Sequence, residues 1–220
     1  MADIPITREI PLDPKISALL FIDVQNYCVR RDGGEFKDVS DTDVAGKYGY
    51  YFERLKSVAI PNMQKLQTAF RAAGVEVLYT CIESLTKDGR DRSLDYKITG
   101  FNVPKGSWDG KVIDEIAPAE DEIVLPKTSS SVFMSTHIDY LLRNLGVKQL
   151  ILAGLVTDQC VESAVRDACD LGYLVTLVPD ACASYSLERH NNALSAIKGY
   201  CRQVYTAALI IELGNVQPPA

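Results

Sequence analysis

The chain has 220 residues, of which 47% are hydrophobic, and a formal net charge of -6 at pH 7. This length and apolar content allow one sizeable core, which predicts a single domain over residues 1–220. The acidic balance argues against nucleic acid as a partner. No apolar run reaches the roughly 18 residues of a membrane span, so we expect no membrane partner either.

The amino terminus has no basic region followed by an apolar region, so it does not resemble a secretory signal peptide. The six cysteines are scattered and form no CxxC pair. In a chain of this size, that pattern favours free thiols in a reducing compartment. We therefore expect a cytoplasmic protein.

The first predicted strand is the apolar run at 16–22, which ends at Asp23. A charged loop containing several glycines follows at 30–49. Apolar residues then recur at helical spacing over 55–70, which predicts an amphipathic helix. The run at 75–81 is the second predicted strand.

The middle of the chain is less regular. Residues 85–107 show no clean periodicity and many charges, which predicts a long irregular loop. Such a loop either closes over a pocket or packs against a neighbouring subunit. A short helix near 112–116 precedes a strand at 122–125, and a helix is predicted at 137–145.

In the last third of the chain, strands and helices alternate again. The predicted strands are 149–153, 174–178 and 208–213, and the predicted helices are 161–171 and 187–199. Alternation at this spacing indicates an α/β fold with a largely parallel sheet that is covered on both faces.

The stretch at 150–173, LILAGLVTDQCVESAVRDACDLGY, is the most informative part of the sequence. A buried strand gives way here to helical spacing, and Cys160 lies at the junction. The positive end of the new helix dipole would lower the pKa of its thiol, so Cys160 is a candidate nucleophile. The alternative is a structural role, because cysteines in such units are commonly small buried packing residues.

Two more reactive residues follow strands at the same edge of the predicted sheet. Asp23 follows the first strand, and Lys127 lies just beyond the strand at 122–125. Active sites of parallel sheets form outside the carboxyl ends of the strands. Asp23 can take the thiol proton of Cys160, and Lys127 can hold Asp23 ionised. The alternatives are a turn cap for Asp23 and a solvated surface position for Lys127.

The segments ALLFIDVQN, IVLPKTSSSVF and LAGLVTDQCVESAVRDACDLGY occur in this order and resemble the isochorismatase-like superfamily of cysteine hydrolases. The likeness covers residues 16–213 and is most specific around Cys160. It implies a three-layer α/β/α sandwich with a mostly parallel central sheet, commonly assembled as a homodimer or homotetramer. It also implies an Asp–Lys–Cys triad, which falls on Asp23, Lys127 and Cys160.

The same resemblance implies a cis peptide bond just before the nucleophile. In this chain the bond would join Leu155 to Val156. The backbone N–H groups of Val156 and Cys160 would then form the oxyanion hole.

The superfamily contains several chemistries, so the resemblance leaves the reaction open. Nicotinamidases hold a metal with an Asp-x-His pair and a further histidine. This chain has only His137 and His190, neither in such a pair, so we expect no metal and no cofactor. His190 is expected to be exposed. Isochorismate hydrolases need an acid rather than a thiol and typically carry glycine at the position of Cys160, so this cysteine favours acyl transfer.

The stretches KGSWDGKVIDEIAP, DEIVLPK and DQCVESAVRDA are similar to those of ureidoacrylate amidohydrolases, which act on a small ureido acid. Trp108 and Glu83 are candidates for the pocket wall, and Gln25, Asn26 and Tyr27 for orienting hydrogen bonds. The alternatives are packing for Trp108, solvent exposure for Glu83 and a turn start for Asn26.

We therefore expect a metal-independent cysteine hydrolase that cleaves a C–N bond of a small polar amide, carbamoyl or ureido compound through a covalent thiol intermediate. One alternative is an isochorismate hydrolase that releases pyruvate, with Asp23 as the general acid. Another is a catalytically silent member that binds a metabolite or a protein partner.

Overall fold

Six parallel strands form the central sheet of the computed structural model, which describes residues 7–214. The strands are β1 (Ser17–Ile22), β2 (Glu76–Ile82), β3 (Ile123–Lys127), β4 (Gln149–Leu155), β5 (Leu174–Ala183) and β6 (Arg202–Gln203). Their order in the sheet is β3-β2-β1-β4-β5-β6. The chain therefore leaves β1 toward one edge and later returns to its other side, which makes the carboxyl ends of β1 and β4 a topological switch point.

Helices connect the strands and cover both faces of the sheet. They are α1 (Asn26–Val29), α2 (Asp41–Arg54), α3 (Ile60–Ala72), α4 (Leu94–Thr99), α5 (Val132–Ser135), α6 (Ile138–Asn144), α7 (Glu162–Asp170), α8 (Leu187–Ile197) and α9 (Thr206–Gly214). A π-helical segment at Leu55–Ala59 joins α2 to α3, and another at Thr157–Val161 leads into α7.

The side chains of β1 alternate between two apolar clusters. Leu19 and Phe21 belong to the cluster that includes residues of α3 and α9. Leu20 and Ile22 belong to the cluster that includes residues of α6, α7 and α8. Successive side chains of a strand point to opposite faces, so a strand buried on both faces has a continuous apolar sequence. The predicted α/β/α arrangement with a parallel sheet is confirmed.

The prediction of a strand at 208–213 is wrong, because this segment lies in helix α9. A continuous apolar run fits a buried strand or a helix equally well. Leu209 and Leu213, one helical turn apart, face the core, while Ile211 is 66% exposed. The last strand of the described sheet is instead the two-residue β6.

Two segments predicted as loops contain helices that begin at serine caps. In 30–49, α2 begins at Asp41, where the Ser40 hydroxyl accepts a hydrogen bond from the Asp43 N–H group. In 85–107, α4 begins after Ser93, whose hydroxyl accepts one from the Tyr96 N–H group. These caps satisfy backbone donors that would otherwise lack partners, which helps a helix to start. No helix within residues 7–214 is long and apolar enough to cross a membrane.

Candidate active site

Asp23 is held just beyond the carboxyl end of β1. Its N–H group donates to the Thr80 carbonyl at 3.0 Å, and the Thr80 hydroxyl donates to Asp23 Oδ1, also at 3.0 Å. The backbone of Asp23 has a φ of 55°, a left-handed conformation that is uncommon outside glycine but better tolerated by Asp than by most residues. The side chain is buried, so its direction is fixed by β2 rather than by solvent.

The close approach of β1 and β4 depends on Gly154. A Cβ atom at this position would lie 2.2 Å from the carbonyl oxygen of Ile22, and the φ of Gly154 is 133°. Only glycine fits such a contact and such a backbone angle without strain. This approach brings the residue after β1 close to the segment after β4, which carries Cys160.

Lys127, the last residue of β3, reaches into the same place and is fully buried. Its Nζ atom lies 2.8 Å from Asp23 Oδ2 and 3.3 Å from Cys160 Sγ. It also donates to the Tyr96 hydroxyl at 3.1 Å and to the Ser129 carbonyl at 2.8 Å. Burial by itself would lower the pKa of Lys127, but Asp23 and Cys160 outweigh this and the pKa lies well above its usual value. The ammonium is therefore charged at neutral pH.

Cys160 lies in the π-helical segment before α7, with only 5% of its surface exposed. Burial raises the pKa of its thiol to about 12, Lys127 acts to lower it and Asp23 acts to raise it. The predicted lowering of this pKa by the helix dipole is wrong, because loss of solvent outweighs the favourable charges. At neutral pH the resting residue is a thiol, so a base has to remove its proton.

The peptide bond between Leu155 and Val156 is cis. Both residues are buried and line one cavity together with Cys160. This places the segment between β4 and the thiol against the space where a substrate carbonyl would lie.

The cavity above the thiol has a volume of about 320 Å³, counted with its open mouth. Its wall comes from the ends of several strands and from three connecting segments. The lining residues are Asp23, Cys28, Glu35, Ile82, Tyr96, Phe101, Leu155, Val156, Gln159, Cys160 and Tyr185.

Several lining residues were not singled out from the sequence. Tyr96 and Phe101 come from the segment predicted as an irregular loop, so part of that segment covers the cavity. Glu35 and Tyr185 are far apart in the chain, yet the Tyr185 hydroxyl donates to Glu35 Oε1. Nothing local in the sequence marks Glu35 as a residue of the cavity wall. The position of Tyr185 just after a buried strand, at the active edge of the sheet, is the one available signal.

Two of the residues predicted to orient the substrate hold the framework instead. Gln25 is buried, accepts from the Ile82 N–H group at 2.6 Å and donates to the carbonyls of Ile82 and Asp109 at 2.9 and 3.0 Å. The amide of Asn26 donates to the Trp108 carbonyl at 2.9 Å. Neither lines the cavity, because their polar groups join α1 and β2 to the turn that carries Trp108.

The other three predicted contacts also lie outside the cavity wall. Glu83 accepts from the Gly106 N–H group at 2.5 Å and so anchors the end of the covering segment. Tyr27 is buried with its ring 5.8 Å from that of Phe101, measured between centroids. Trp108 is 47% exposed in a short 3-10 turn. The structure therefore gives these residues supporting positions around the cavity.

The two histidines differ in their surroundings. His137 is exposed at the start of α6, whereas His190 is buried, so the prediction that His190 is exposed is wrong. Arg54 lies 2.9 Å from His190 Nε2, and Thr157 Oγ1 lies 2.8 Å from Nδ1. Since a guanidinium can only donate, Nε2 accepts and Nδ1 carries the proton that it donates to Thr157. Among the described residues, no group of histidine, cysteine and acidic side chains is arranged to hold a metal ion.

Together these residues form a thiol, an ammonium and a carboxylate at the bottom of a small cavity. The carboxylate can accept a proton, the thiol can become a nucleophile, and the ammonium stabilises negative charge on either. This arrangement of three groups can carry out acyl transfer by a cysteine.

Comparison with known proteins shows the family of this chain. The family model of the isochorismatase domain matches residues 17–208, so the chain belongs to the isochorismatase family of hydrolases. A ureidoacrylate amidohydrolase of Rhizobium rhizogenes is 30% identical over 90% of this chain and 87% of the relative.

Solved structures share the fold over nearly the whole chain. A cysteine hydrolase of Pseudomonas syringae pv. phaseolicola has a TM-score of 0.77 and 24% identity, covering 96% of this chain and 98% of that one. An N-carbamoylsarcosine amidase of Thermoplasma acidophilum has a TM-score of 0.66 and 26% identity, covering 86% and 96%.

Proposed function

We propose that this protein is a cysteine amidohydrolase that cleaves a C–N bond of a small amide, carbamoyl or ureido compound. The observation that carries the proposal is the buried triad: Lys127 Nζ lies 2.8 Å from Asp23 Oδ2 and 3.3 Å from Cys160 Sγ. The relatives named for ureidoacrylate and N-carbamoylsarcosine chemistry support the same bond type.

The first half-reaction forms a covalent enzyme. Asp23 takes the proton from Cys160, and the thiolate attacks the substrate carbonyl carbon, so that a C–S bond forms and the carbonyl oxygen becomes an oxyanion. The N–H groups of Val156 and Cys160 are the proposed donors to that oxyanion. Asp23 then gives its proton to the leaving nitrogen, the C–N bond breaks, and ammonia or an amine departs.

The second half-reaction restores the thiol. Asp23 takes a proton from a water molecule, whose oxygen attacks the thioester carbonyl. The C–S bond breaks, and the departing thiolate takes the proton back from Asp23. One water is consumed in each cycle. Lys127 stays protonated throughout and stabilises whichever of Asp23 and Cys160 carries negative charge.

The thiol environment favours this chemistry over isochorismate hydrolysis. Vinyl-ether cleavage needs an acid but no nucleophile, so it gives no reason to place an ammonium 3.3 Å from Cys160 Sγ. A protein that only binds a ligand would have no need of a buried charge pair beside a thiol, because burying charges costs free energy.

A single assay separates the three functions. The purified protein is incubated with isochorismate and with small carbamoyl and amide compounds, and both ammonia and pyruvate are measured. We expect ammonia release that Cys160→Ala abolishes and that Cys169→Ala leaves intact. Cys169 is the matched control because it is half-buried on α7 and lies outside the cavity wall.

Two other results would contradict the proposal. Pyruvate that survives Cys160→Ala but is lost in Asp23→Asn would make the protein an isochorismate hydrolase. Binding of a test compound without release of either product would make it a silent member.

A further inference from the structure

Glu35 is a carboxylate at the cavity that the proposed mechanism does not use. Its Oε1 atom accepts a hydrogen bond from the Tyr185 hydroxyl. Its Oε2 atom is buried and has no hydrogen-bond partner among the described residues. An acceptor left unpaired in a protein interior is costly, so its presence beside an open cavity calls for a partner supplied by a ligand.

Close packing of the loop on α1 positions Glu35 at the cavity. A Cβ atom at Gly33 would lie 2.2 Å from the Asn26 carbonyl, and one at Gly34 would lie 2.7 Å from the Tyr27 ring. The two glycines therefore let the loop pack directly on α1. The Glu35 N–H group donates to the Tyr27 carbonyl at 3.2 Å, which fixes the backbone from which the carboxylate extends.

Tyr185 holds the other side of the carboxylate in a fixed position. Its ring centroid lies 5.5 Å from that of Tyr48 and 5.2 Å from that of Tyr51. Such aromatic packing leaves the hydroxyl little freedom. The pair formed by Glu35 and Tyr185 lines both the inner cavity and the wider outer cavity that adjoins it.

The two cations that line the outer cavity together with Glu35 already have partners. Arg189 pairs with Asp158 at 2.5 Å and Lys47 with Asp43 at 3.0 Å. Burial raises the pKa of Glu35 to about 7, and the Tyr185 hydrogen bond acts in the opposite direction. Within residues 7–214, the carboxylate therefore faces the cavity without a cation, which suits a ligand that brings its own N–H donor.

We propose that Glu35 determines substrate specificity by accepting a hydrogen bond from an N–H group at the end of the substrate remote from the scissile carbonyl. The preferred substrate is then an uncharged or cationic amide or ureide rather than an anionic ureido acid. An acid would place a second carboxylate next to Glu35, and like charges repel. This inference rests on the proposed function, because it names the substrate class of the same cavity.

Three matched probes separate charge from hydrogen bonding: N-carbamoylglycine, its N-methylamide and its N,N-dimethylamide. The three differ only at the end remote from the ureido group. There the first carries a carboxylate, the second a neutral amide with an N–H donor, and the third a neutral amide without one. We expect kcat/KM for the N-methylamide to exceed that for the dimethylamide and the acid by about ten- to hundredfold. Calorimetric Kd values for Cys160→Ala should rank the probes in the same order without turnover.

The variant Glu35→Gln keeps the shape of the side chain and removes its charge. We expect the preference for the N-methylamide over the acid to fall about tenfold or more. Asp38→Asn is the matched control, since Asp38 is an exposed acid of the same loop that does not line the cavity. This control should leave the ranking unchanged.

The outcomes distinguish the two proposals. Equal or better turnover and binding of the acid in the protein with native Glu35, an unchanged ratio in Glu35→Gln, or no binding of any probe would overturn the role of Glu35. The ranking measured with native Glu35 tests this role even if the variant fails to fold. Correctly ranked binding without ammonia release would instead overturn the amidohydrolase and leave the recognition by Glu35 standing.

Discussion

Asp23 and Lys127 form a charge pair with almost no access to solvent. Removing one charge of such a pair leaves the other buried without compensation, which typically costs about 3–5 kcal/mol. We expect Lys127→Met to lower the free energy of unfolding by that amount, measured by urea denaturation. The double variant Asp23→Asn, Lys127→Met should recover much of the loss, because no charge remains buried there. A double variant that is as unstable as the sum of the two single variants would contradict this coupling.

The raised pKa of the Cys160 thiol should determine how its alkylation rate depends on pH. The thiolate is the reactive form, so the alkylation rate follows the fraction ionised. Because the pKa lies at about 12, alkylation of Cys160 by iodoacetamide should keep rising from pH 6 to pH 10 without a plateau. The rate is measured by peptide mass spectrometry in the absence of substrate. A plateau below pH 8 would show instead that the resting enzyme holds a preformed thiolate.

At the scale of elements, helix α4 is a short lid that brings one hydroxyl to the triad. The Tyr96 hydroxyl accepts a hydrogen bond from Lys127 at 3.1 Å. We expect Tyr96→Phe to lower kcat by roughly tenfold, since a hydrogen bond to a charged group is lost while the ring stays in place. Tyr140→Phe is the matched control, because Tyr140 is 69% exposed on α6. Equal activity of the two variants would contradict a role for the lid hydroxyl.

The elements themselves could be predicted to different degrees. β1, β4 and the first half of β5 are apolar runs of strand length, and they lie close to their predicted positions. The strand prediction fails at α9 because Leu209 to Leu213 is apolar nearly throughout, and only packing on the core shows the helical period. Helix α4 could not be predicted because six residues are too few to show a helical period of apolar residues. Its serine cap is the only local signal in the sequence.

At the scale of the whole molecule, Glu35 links the cavity to the stability of the fold. Burial raises its pKa from 4.5 to about 7, so between these values the native protein retains a proton that the unfolded chain releases. The free energy of unfolding therefore falls as pH rises through this window. Glu35→Gln cannot titrate, so we expect its Tm to exceed that of the native sequence by roughly 3–8 °C at pH 8 and to approach it near pH 5.

The titration of His190 does not affect the comparison between the two Tm values. Burial, with Arg54 adding to it, lowers its pKa from 6.5 to about 4, so stability is lost as pH falls through this window. This effect has the opposite sign and is common to both proteins, so it cancels in the difference between their Tm values. A Tm difference that is the same at pH 5 and pH 8 would contradict the buried titration of Glu35.

Some residues of the candidate site could be predicted from the sequence and others could not. Asp23, Lys127 and Cys160 each follow a recognisable strand, and parallel strands place their carboxyl ends together, so their meeting could be predicted. Glu35, Tyr96 and Phe101 lie on connecting segments whose path is decided by tertiary packing. From the sequence, polar residues near the strand ends, such as Gln25, are predicted to contact the substrate. In the structure the Gln25 amide instead forms hydrogen bonds with the backbone of β2.

The proposed mechanism requires a covalent bond between Cys160 and the acyl part of the substrate. The most direct test mixes the protein with the N-methylamide of N-carbamoylglycine, quenches the reaction with acid within milliseconds, and analyses the protein by mass spectrometry. If glycine N-methylamide is the leaving amine, we predict a mass increase of one carbamoyl group on the peptide that contains Cys160, and none in Cys160→Ala. Hydrolysis of this adduct gives carbamate, which decomposes to ammonia and carbon dioxide. Ammonia release that continues at the native rate in Cys160→Ala, with no adduct on the native protein, would contradict covalent catalysis by this thiol.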